Sequence, residues 1–201
     1  MENSPRARRH DLTRQKILDT ARSLLLSQGV DGISMRILAE KADYSPAALY
    51  KYFANKEEII EALRQEAWQL LAAFEPEPPA GMTSLADLFV HSGRSYIQFA
   101  NRYPEYYQLI MSTTETGPES LEEFKQYPNF VEMLRFVEEA VTAGEFELPP
   151  GYAPIHLAML SWFTVHGISL LTLTMMNKCQ DEFGLLSDEV LEMVKDAFVK
   201  R

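Results

Sequence analysis

The sequence predicts an all-α protein, and three observations support this prediction. Apolar residues recur at intervals of three and four positions in almost every segment, which is the spacing of one helix face. We find no run of alternating β-branched residues that would indicate a strand. Clusters of proline and glycine, such as EPEPPAGM at 75–82, separate the helical segments. With 201 residues, the chain is long enough for one domain of ordinary core size or for a small domain joined to a larger one.

The first predicted helix follows a basic segment. Residues 1–10 include the run PRARR, and we expect them to form a flexible arm. Helical spacing begins at Asp11 and continues through Leu25. Gly29 then occupies the place where a helix end favours a residue with positive φ.

Three further helices are predicted before residue 75. Ser34 caps a second helix of about two turns. The pair Ser45-Pro46 is a helix start, with a hydroxyl cap followed by proline at the first helical position, and it opens a short third helix. Asn55 caps a long fourth helix, 56–74, which connects the N-terminal domain of 11–55 to the rest of the chain.

The remainder of the chain is predicted to be helical as well. We expect residues 56–201 to form one helical domain that includes the connecting helix. After the break at 75–82, the expected helices are 85–103, 104–113, 120–143, 152–177 and 186–199. The expected breaks between the later helices are TTETGPES, the FELPPG loop and DEFGLL.

The charge is unevenly distributed along the chain. Residues 1–56 contain ten Lys and Arg against six Asp and Glu, a net charge of +4. Residues 57–201 contain nine against 23, a net charge of −14, and the two values give the −10 of the whole chain. Only the surface that faces phosphates needs to be positive, so the N-terminal segment is predicted to bind nucleic acid. A chance difference of a few charges between two halves is the alternative.

Three features bear on the compartment. No apolar segment follows the basic N-terminus, so we do not expect a secretory signal. The longest uncharged stretch, 148–177, is interrupted by prolines and histidines, so we do not expect a membrane span. The single cysteine, Cys179, cannot form an internal disulfide. We therefore expect a cytoplasmic protein.

The second and third helices, joined by the short turn 42–44, predict a helix-turn-helix. In this motif the second helix of the pair enters the DNA major groove and the first crosses the backbone. The apolar residues that can face the first helix are Leu38, Ala39, Leu49 and Phe53. Small residues that let the third helix approach the bases are Ser45, Ala47 and Ala48. Residues that can donate to phosphates are Tyr50, Lys51, Tyr52 and Lys56.

These residues belong to an ungapped block, 14–63, that resembles the DNA-binding domain of the TetR family of transcriptional regulators. The block carries IL-x-x-A at 17–21, Leu49-Tyr50-x-Tyr52-Phe53 and Lys56-Glu57 in fixed register with Gly29 and Ser34. The resemblance implies backbone contacts by Ser34 and Arg36 and base or phosphate contacts by the third helix. The full set of candidate DNA-binding residues is Arg14, Ser34, Met35, Arg36, Tyr44, Ser45, Ala47, Ala48, Tyr50, Lys51, Tyr52 and Lys56.

Two turn positions depart from the family pattern. Asp43 stands where glycine is usual, and aspartate is among the few residues that accept positive φ. Tyr44 stands where a small aliphatic residue is usual, so it either packs over the turn or makes an additional DNA contact.

The resemblance also implies a C-terminal domain that binds a small molecule and forms a dimer. The segment 152–177 is apolar nearly all round, which predicts that it is covered on every side and favours a second subunit. A helix that is central within one monomer is the alternative. The candidate dimer residues are Met159, Phe163, Leu170, Leu173, Val190, Met193, Val194 and Phe198.

Two motifs are similar to one subgroup of the family. These are W-x-x-x-H-G at 162–167 and the Tyr- and Pro-rich segment at 102–111. The candidate ligand-binding residues are Tyr103, Tyr106, Tyr107, Met111, Met133, Phe136, Val137, Trp162 and His166. For each of them an ordinary core position is the alternative, because Met and aromatic residues at helical spacing also form cores. A mostly apolar lining indicates an uncharged or weakly polar ligand.

The expected function is that of a dimeric repressor that binds a palindromic double-stranded operator and is released by a small-molecule effector. The alternatives are a ligand-responsive activator and an all-α interaction module that no longer binds DNA. We do not expect an enzyme, a cofactor or a metal site, because the sequence carries no H-E-x-x-H, C-x-x-C or G-x-S-x-G motif and no Gly-rich phosphate loop.

Overall fold

The computed structural model describes residues 4–74, 77–111 and 118–200, with the backbone alone at residue 128. Within these ranges the regular structure is helical, apart from an isolated bridge between Phe146 and Val199, and the all-α prediction is confirmed. The helices are α1 Pro5–Gln28, α2 Met35–Ala42, α3 Pro46–Leu49, α4 Lys56–Phe74, α5 Leu85–Arg102, α6 Pro104–Met111, α7 Leu121–Phe124, α8 Pro128–Thr142, α9 Pro154–Leu173 and α10 Gln180–Phe198.

The helices form two compact units. The first unit comprises the described residues up to Ala73 together with 105–111, and the second comprises Phe74, 77–104 and 118–200. In the first unit α1 packs on α2, and α2 packs on α3. The largest fully buried side chains of this core include Ile17, Leu24, Leu25, Ile33, Leu38, Leu49, Phe53, Ile59 and Leu63. Our functional division into 11–55 and 56–201 stays a prediction.

The first helix begins at Pro5, six residues earlier than predicted. Residues 5–10 are therefore helical, and the prediction that they form a flexible arm is wrong. The side-chain oxygen of Ser4 accepts a hydrogen bond from the backbone N–H of Ala7 at 3.2 Å. Pro5 occupies the first turn, where its missing N–H costs nothing. The helix ends at Gly29, which has a φ of 69° as predicted, although its ψ of −173° is extended rather than left-handed helical.

Two helix boundaries in the second unit also differ from prediction. The expected helix 120–143 is divided into α7 and α8, because Pro128 cannot donate to the preceding turn and instead starts a helix of its own. The expected break DEFGLL lies inside α10, which begins at Gln180 and tolerates Gly184 within its second turn. The expected helix 152–177 is shorter, since α9 spans Pro154–Leu173. Residues 112–117, which include most of the break TTETGPES, lie outside the described residues.

The core of the second unit is formed by α5, α8, α9 and α10. Helix α9 buries one side against the other helices, with Leu157, Ala158, Val165 and Ile168 in the core. Its opposite side is exposed, although it is also apolar. This helix is the single described one that is long and apolar enough to cross a membrane by length and composition. Because the core helix of a soluble protein passes the same test, this is weak evidence for a span.

Candidate nucleic-acid interface

Three side-chain caps fix the ends of the helix-turn-helix, as predicted. The hydroxyl of Ser34 accepts from the N–H of Ile37 at 3.2 Å and begins α2. The hydroxyl of Ser45 accepts from the N–H of Ala48 at 3.2 Å and begins α3. The side-chain oxygen of Asn55 accepts from the N–H of Glu58 at 2.8 Å and begins α4. Each cap satisfies a backbone donor that the first turn of a helix leaves without an internal partner.

The turn between α2 and α3 is made by Asp43. Its φ of 64° and ψ of 47° place it in the left-handed region, which confirms that aspartate occupies the usual glycine position with positive φ. The next N–H, that of Tyr44, donates to the carbonyl of Ala39 at 2.9 Å and closes the end of α2. The turn therefore keeps the hydrogen bonding of a glycine turn without the glycine.

Helix α3, with its cap and the turn that follows it, has a buried side and an exposed side. Leu49 and Phe53 are buried in the first unit, as predicted. Ser45, Ala47, Tyr50 and Lys51 are exposed, and Ala48 is half-buried. The exposed face thus consists of small side chains followed by a phenol and an ammonium group, a combination suited to close approach to bases and contact with phosphates.

Residues around α3 are held by contacts with α1. The guanidinium of Arg14 lies over the ring of Phe53, 4.6 Å from its centroid. The ammonium of Lys16 lies 5.0 Å from the ring centroid of Tyr44, which is half-buried. The Tyr44 ring is therefore partly covered by a basic side chain of α1, and the DNA contact of Tyr44 stays a prediction.

The contact of His10 with Tyr52 was not predicted. Their ring centroids lie 4.8 Å apart with an interplanar angle of 35°. Tyr52 is half-buried, whereas Arg6 and Arg9, which precede His10 on α1, are exposed. The basic residues that we assigned to a loose arm are thus presented by a helix that reaches the end of the helix-turn-helix. No local sequence signal indicated this pair.

The other candidate DNA-binding residues differ in how exposed their side chains are. Arg36 is exposed and Met35 is half-buried on the first turn of α2. The hydroxyl of Ser34 already accepts a hydrogen bond as a helix cap, although it can still donate one. The ammonium of Lys56 donates to the carbonyl of Val30 at 3.3 Å and is half-buried. Lys51 is therefore the more accessible of the two lysines.

The candidate ligand-binding residues are divided between the two units. Tyr106, Tyr107 and Met111 lie on α6 in the first unit, the two tyrosines buried and the methionine exposed. Tyr103 lies in the second unit, where its ring centroid is 5.7 Å from that of Phe74. The candidates that belong to or pack against the core of the second unit are Met133, Phe136, Val137 and Trp162.

His166 and Trp162 belong to an aromatic cluster of the second unit. The Trp162 centroid is 4.5 Å from that of His166, 5.7 Å from that of Phe130 and 5.8 Å from that of Phe124. The hydroxyl of Tyr96 lies 3.3 Å from Nδ1 of His166. Burial lowers the pKa of His166 to about 4, because the surrounding rings replace water that would stabilise the charged form. The imidazole is therefore neutral at physiological pH.

The candidate dimer residues differ in burial. Phe163, Leu170 and Met193 are 62%, 57% and 65% exposed. Met159, Leu173, Val190 and Phe198 are half-buried. Val194 is 9% exposed and packs in the core of the second unit, and its place in a dimer interface stays a prediction.

A capped helix-turn-helix with an exposed small-residue and basic face, followed by a second helical unit, defines a protein of the helix-turn-helix class. Residues 17–63 match the family described as bacterial regulatory proteins, tetR family, and residues 89–192 match the family described as tetracyclin repressor-like, C-terminal domain. The second match alone spans more than half of the 201 residues. The chain belongs to the TetR family. The W-x-x-x-H-G subgroup stays a prediction.

Individual relatives agree with this assignment. The chain is 28% identical over 128 residues to the tetracycline repressor protein class D of Escherichia coli, which covers 64% of this chain and 55% of that protein. It therefore spans only about half the length of that repressor. It is 22% identical over 169 residues to the uncharacterised HTH-type transcriptional regulator YvkB of Bacillus subtilis, covering 79% of this chain and 84% of that protein.

A solved structure of a protein with unknown function from Rhodococcus sp. RHA1 has the same fold. It superposes with a TM-score of 0.75 at 24% identity and covers 94% of this chain and 96% of that one. A putative TetR-family regulator from Vibrio parahaemolyticus superposes with a TM-score of 0.64 at 19% identity, covering 94% and 99%. At these identities the likeness concerns the fold.

Proposed function

We propose that the protein is a cytoplasmic transcriptional regulator, and not an enzyme, that binds a palindromic operator as a homodimer and is released by a small, uncharged effector. The observation that carries the proposal is the exposed surface formed by α3 and the turn that follows it, where Ala47, Tyr50 and Lys51 are exposed while Leu49 and Phe53 are buried. Repression with ligand-induced release is the behaviour we favour. An activator that uses the same DNA-binding surface is the alternative.

The proposal divides DNA contacts into those that give affinity and those that read sequence. Lys51 and Arg36 are exposed cations and are assigned to phosphates. Ala47 and Ser45 are assigned to the bases, where a methyl group or a hydroxyl can meet base edges. Because few of these side chains can form two hydrogen bonds to the same base, part of the sequence specificity is assigned to the shape of the DNA.

Binding of the protein to the DNA upstream of its own gene tests the DNA-binding proposal. The apparent affinity should fall steeply with salt, because phosphate contacts release counterions. Lys51→Ala should weaken binding to all sequences and reduce the salt slope by about one. Ala47→Val should change the preferred sequence. Lys178→Ala, at an exposed lysine of the second unit, is the control and should bind as the wild type does. If the protein shows no salt-dependent binding to this DNA, the result favours the alternative of an interaction module that no longer binds DNA.

A stripe of exposed apolar residues supports the homodimer. Leu160, Phe163 and Leu170 are exposed on one side of α9 at intervals that keep them on one helix face, and Gly167 lies between them. Met193 is exposed on α10, which packs against α9. A large exposed apolar surface of this kind marks an interaction site in a soluble protein. A partner helix can approach the backbone closely at the glycine.

Light scattering on two matched variants tests the dimer. Leu170→Glu places a charge in the stripe, and we expect this variant to be a monomer. It should bind the palindrome at least about tenfold more weakly, because a single helix-turn-helix motif must then bind alone. Leu121→Glu, at a leucine of similar exposure (60%) on α7, should remain dimeric. A monomeric wild type at micromolar concentration, or a dimeric Leu170→Glu variant, contradicts the assignment.

Effector action is proposed as a population shift. The dimer is proposed to have two forms: one in which the two helix-turn-helix motifs fit successive major grooves, and one in which they do not. The ligand must bind more tightly to the second form than to the first. A differential affinity of about 5.5 kcal/mol would move the equilibrium from nearly all bound to nearly all released. Helix α4, which joins the two units at Phe74, is the proposed lever.

A further inference from the structure

The first turns of α1 carry two arginines that the candidate DNA contacts do not include. Arg6 and Arg9 are both exposed. The Nε of Arg9 donates to the carbonyl of Pro5 at 3.2 Å, within its own helix. Among the described residues, neither guanidinium forms an ion pair with a carboxylate. Two positive charges are therefore presented to solvent at the start of the first helix.

Other cations of the first unit contribute to its structure. Arg22 pairs with Glu66 at 2.9 Å and joins α1 to α4. The ammonium of Lys56 donates to a backbone carbonyl at 3.3 Å. Within the described part of the chain, Arg6 and Arg9 make no such contact outside α1. The packing of the unit therefore does not explain these two arginines.

The geometry of α1 places Arg6 on the side that faces the helix-turn-helix. Arg6 precedes His10 by four residues, and His10 precedes Ile17 by seven, so the three residues share one side of the helix. Ile17 is buried, and the ring centroid of His10 lies 4.8 Å from that of Tyr52. Arg6 therefore lies one turn before the contact with Tyr52, about 6 Å along the axis at about 1.5 Å per residue.

The segment around the two arginines keeps a positive net charge. Residues 4–13 contain three arginines and one aspartate, a net charge of +2. The aspartate is Asp11, and its Oδ1 lies 3.7 Å from Nδ1 of His10. It follows Arg6 by five positions, which places it on a different side of the helix. A positive surface of this kind attracts the phosphates of nucleic acid.

The neighbouring surface is the one proposed to contact DNA. Tyr50 and Lys51, which directly precede Tyr52, are exposed. The distance of about 6 Å along α1 corresponds to roughly two steps of about 3.4 Å between phosphates of one DNA strand. A guanidinium can bind a phosphate through two N–H groups at once. The two arginines are thus suited to phosphates next to those that Tyr52 would contact.

We propose that Arg6 and Arg9 form a second phosphate contact of each subunit, on the DNA backbone beside the phosphates bound by the residues that follow α3. The contact adds affinity and does not read sequence. It rests on the proposed function of DNA binding and extends the DNA-binding surface to the first turns of α1. The match to the DNA-binding family spans residues 17–63, so these turns lie outside it.

A salt titration of the full chain on DNA tests the contact. Arg6→Ala/Arg9→Ala should weaken binding at least about tenfold at 0.15 M salt, and equally on the upstream DNA and on an unrelated duplex. The slope of log K against log salt should fall by about two for each bound subunit, since each lost phosphate contact contributes about 0.9. An unchanged slope overturns the proposal. A loss confined to the upstream DNA also overturns it, because the arginines would then read bases.

Two matched variants separate the charge from other effects. Arg6→Lys/Arg9→Lys keeps both charges and should retain most of the slope, because lysine binds phosphate as a point charge. Arg135→Ala/Lys178→Ala removes two exposed charges of the second unit and should bind DNA as the wild type does. Thermal melting of each variant shows whether it is folded. If the lysine variant loses as much affinity as the alanine variant, or the second-unit variant loses as much, the proposal is overturned.

Hydroxyl-radical footprinting on the upstream DNA locates the contact. The wild type should protect a few backbone positions that Arg6→Ala/Arg9→Ala leaves open, while the remaining protected positions stay the same. Identical footprints of the two proteins overturn the proposal but leave the regulator proposal intact. If the wild type itself shows no salt-dependent binding to any duplex, both proposals are overturned.

Discussion

The imidazole ring of His10 lies against the phenol ring of Tyr52, with their centroids 4.8 Å apart. The pair joins the second turn of α1 to the residues that follow α3, 42 positions later in the chain. It places the helical basic segment beside the proposed DNA-binding surface.

We predict that His10→Ala weakens operator binding. The variant loses a ring contact worth about 0.5–1.5 kcal/mol, and the start of α1 loses its attachment to Tyr52. We expect a small fall in melting temperature and a few-fold loss of affinity in a gel-shift titration. Tyr52→Phe is the control for the ring contact in the melting experiment alone, because it keeps the ring but removes a hydroxyl that is itself a candidate phosphate donor. If His10→Ala binds DNA as the wild type does, the segment has no part in recognition.

Asp43 provides a second prediction, on stability. Its φ of 64° is unfavourable for residues with a Cβ atom, and aspartate tolerates it better than alanine does. Asp43→Ala should destabilise the protein by about 1 kcal/mol, whereas Asp43→Gly should be neutral or stabilising. Urea unfolding of the three proteins measures the order. An alanine variant as stable as the glycine variant would show that the turn relaxes to a different conformation.

The sequence predicted those parts of the fold that depend on neighbouring residues. Ser34, Ser45 and Asn55 cap helices because hydroxyl and amide groups of this kind satisfy the first N–H groups wherever they precede a helix. The same rule applied at Ser4 and Pro5, where the pair repeats the Ser45-Pro46 signal. We missed it there because the basic composition of the segment suggested a flexible arm.

The sequence could not predict contacts between distant residues. Tyr96 and His166 are 70 positions apart, and Arg22 and Glu66 are 44 apart. Helical periodicity shows that each of these residues lies on a helix, but it does not specify which helices pack together or with what rotation.

Arg64 provides a third prediction, within the first unit. It is 8% exposed, its Nε donates to the carbonyl of Leu109 at 3.3 Å, and it is paired with Glu61. The bond ties α4 to the C-terminal end of α6. Arg64→Met removes one charged donor to this carbonyl and should cost about 1.5–3 kcal/mol in the free energy of unfolding, the value of a hydrogen bond that involves a charged group.

Hydrogen exchange shows where the effect of Arg64→Met is felt. The amides of α6 should exchange faster in the variant, because α6 loses its attachment to α4. The control is Arg135→Gln, which removes an exposed pair with Glu132 on α8, and we expect no measurable change in stability or exchange. Unchanged exchange of α6 in Arg64→Met would mean that apolar packing alone holds this helix.

The pKa of His166 gives a fourth prediction, on pH. The unfolded chain binds a proton at this histidine with a pKa near 6.5, whereas burial lowers the pKa in the folded protein to about 4. Between these values the unfolded state binds more protons, so acidification favours unfolding and stability falls as the pH drops from 6.5 to 4. The contribution is fully present above pH 6.5, and its loss should be on the order of 2 to 3 kcal/mol.

Urea unfolding between pH 7.5 and 4.5 measures this loss in two variants of α9. His166→Gln cannot be protonated, so its stability should change less with pH than that of the wild type over the same interval. His156→Gln removes an exposed ring from the first turn of the same helix, and glutamine can replace the imidazole that accepts from the N–H of Ala153 at 3.0 Å. This variant keeps His166 and matches His166→Gln in the type of substitution and in the helix. If His166→Gln loses as much stability on acidification as His156→Gln does, other groups cause the acid sensitivity, and the imidazole is not held neutral by its aromatic neighbours.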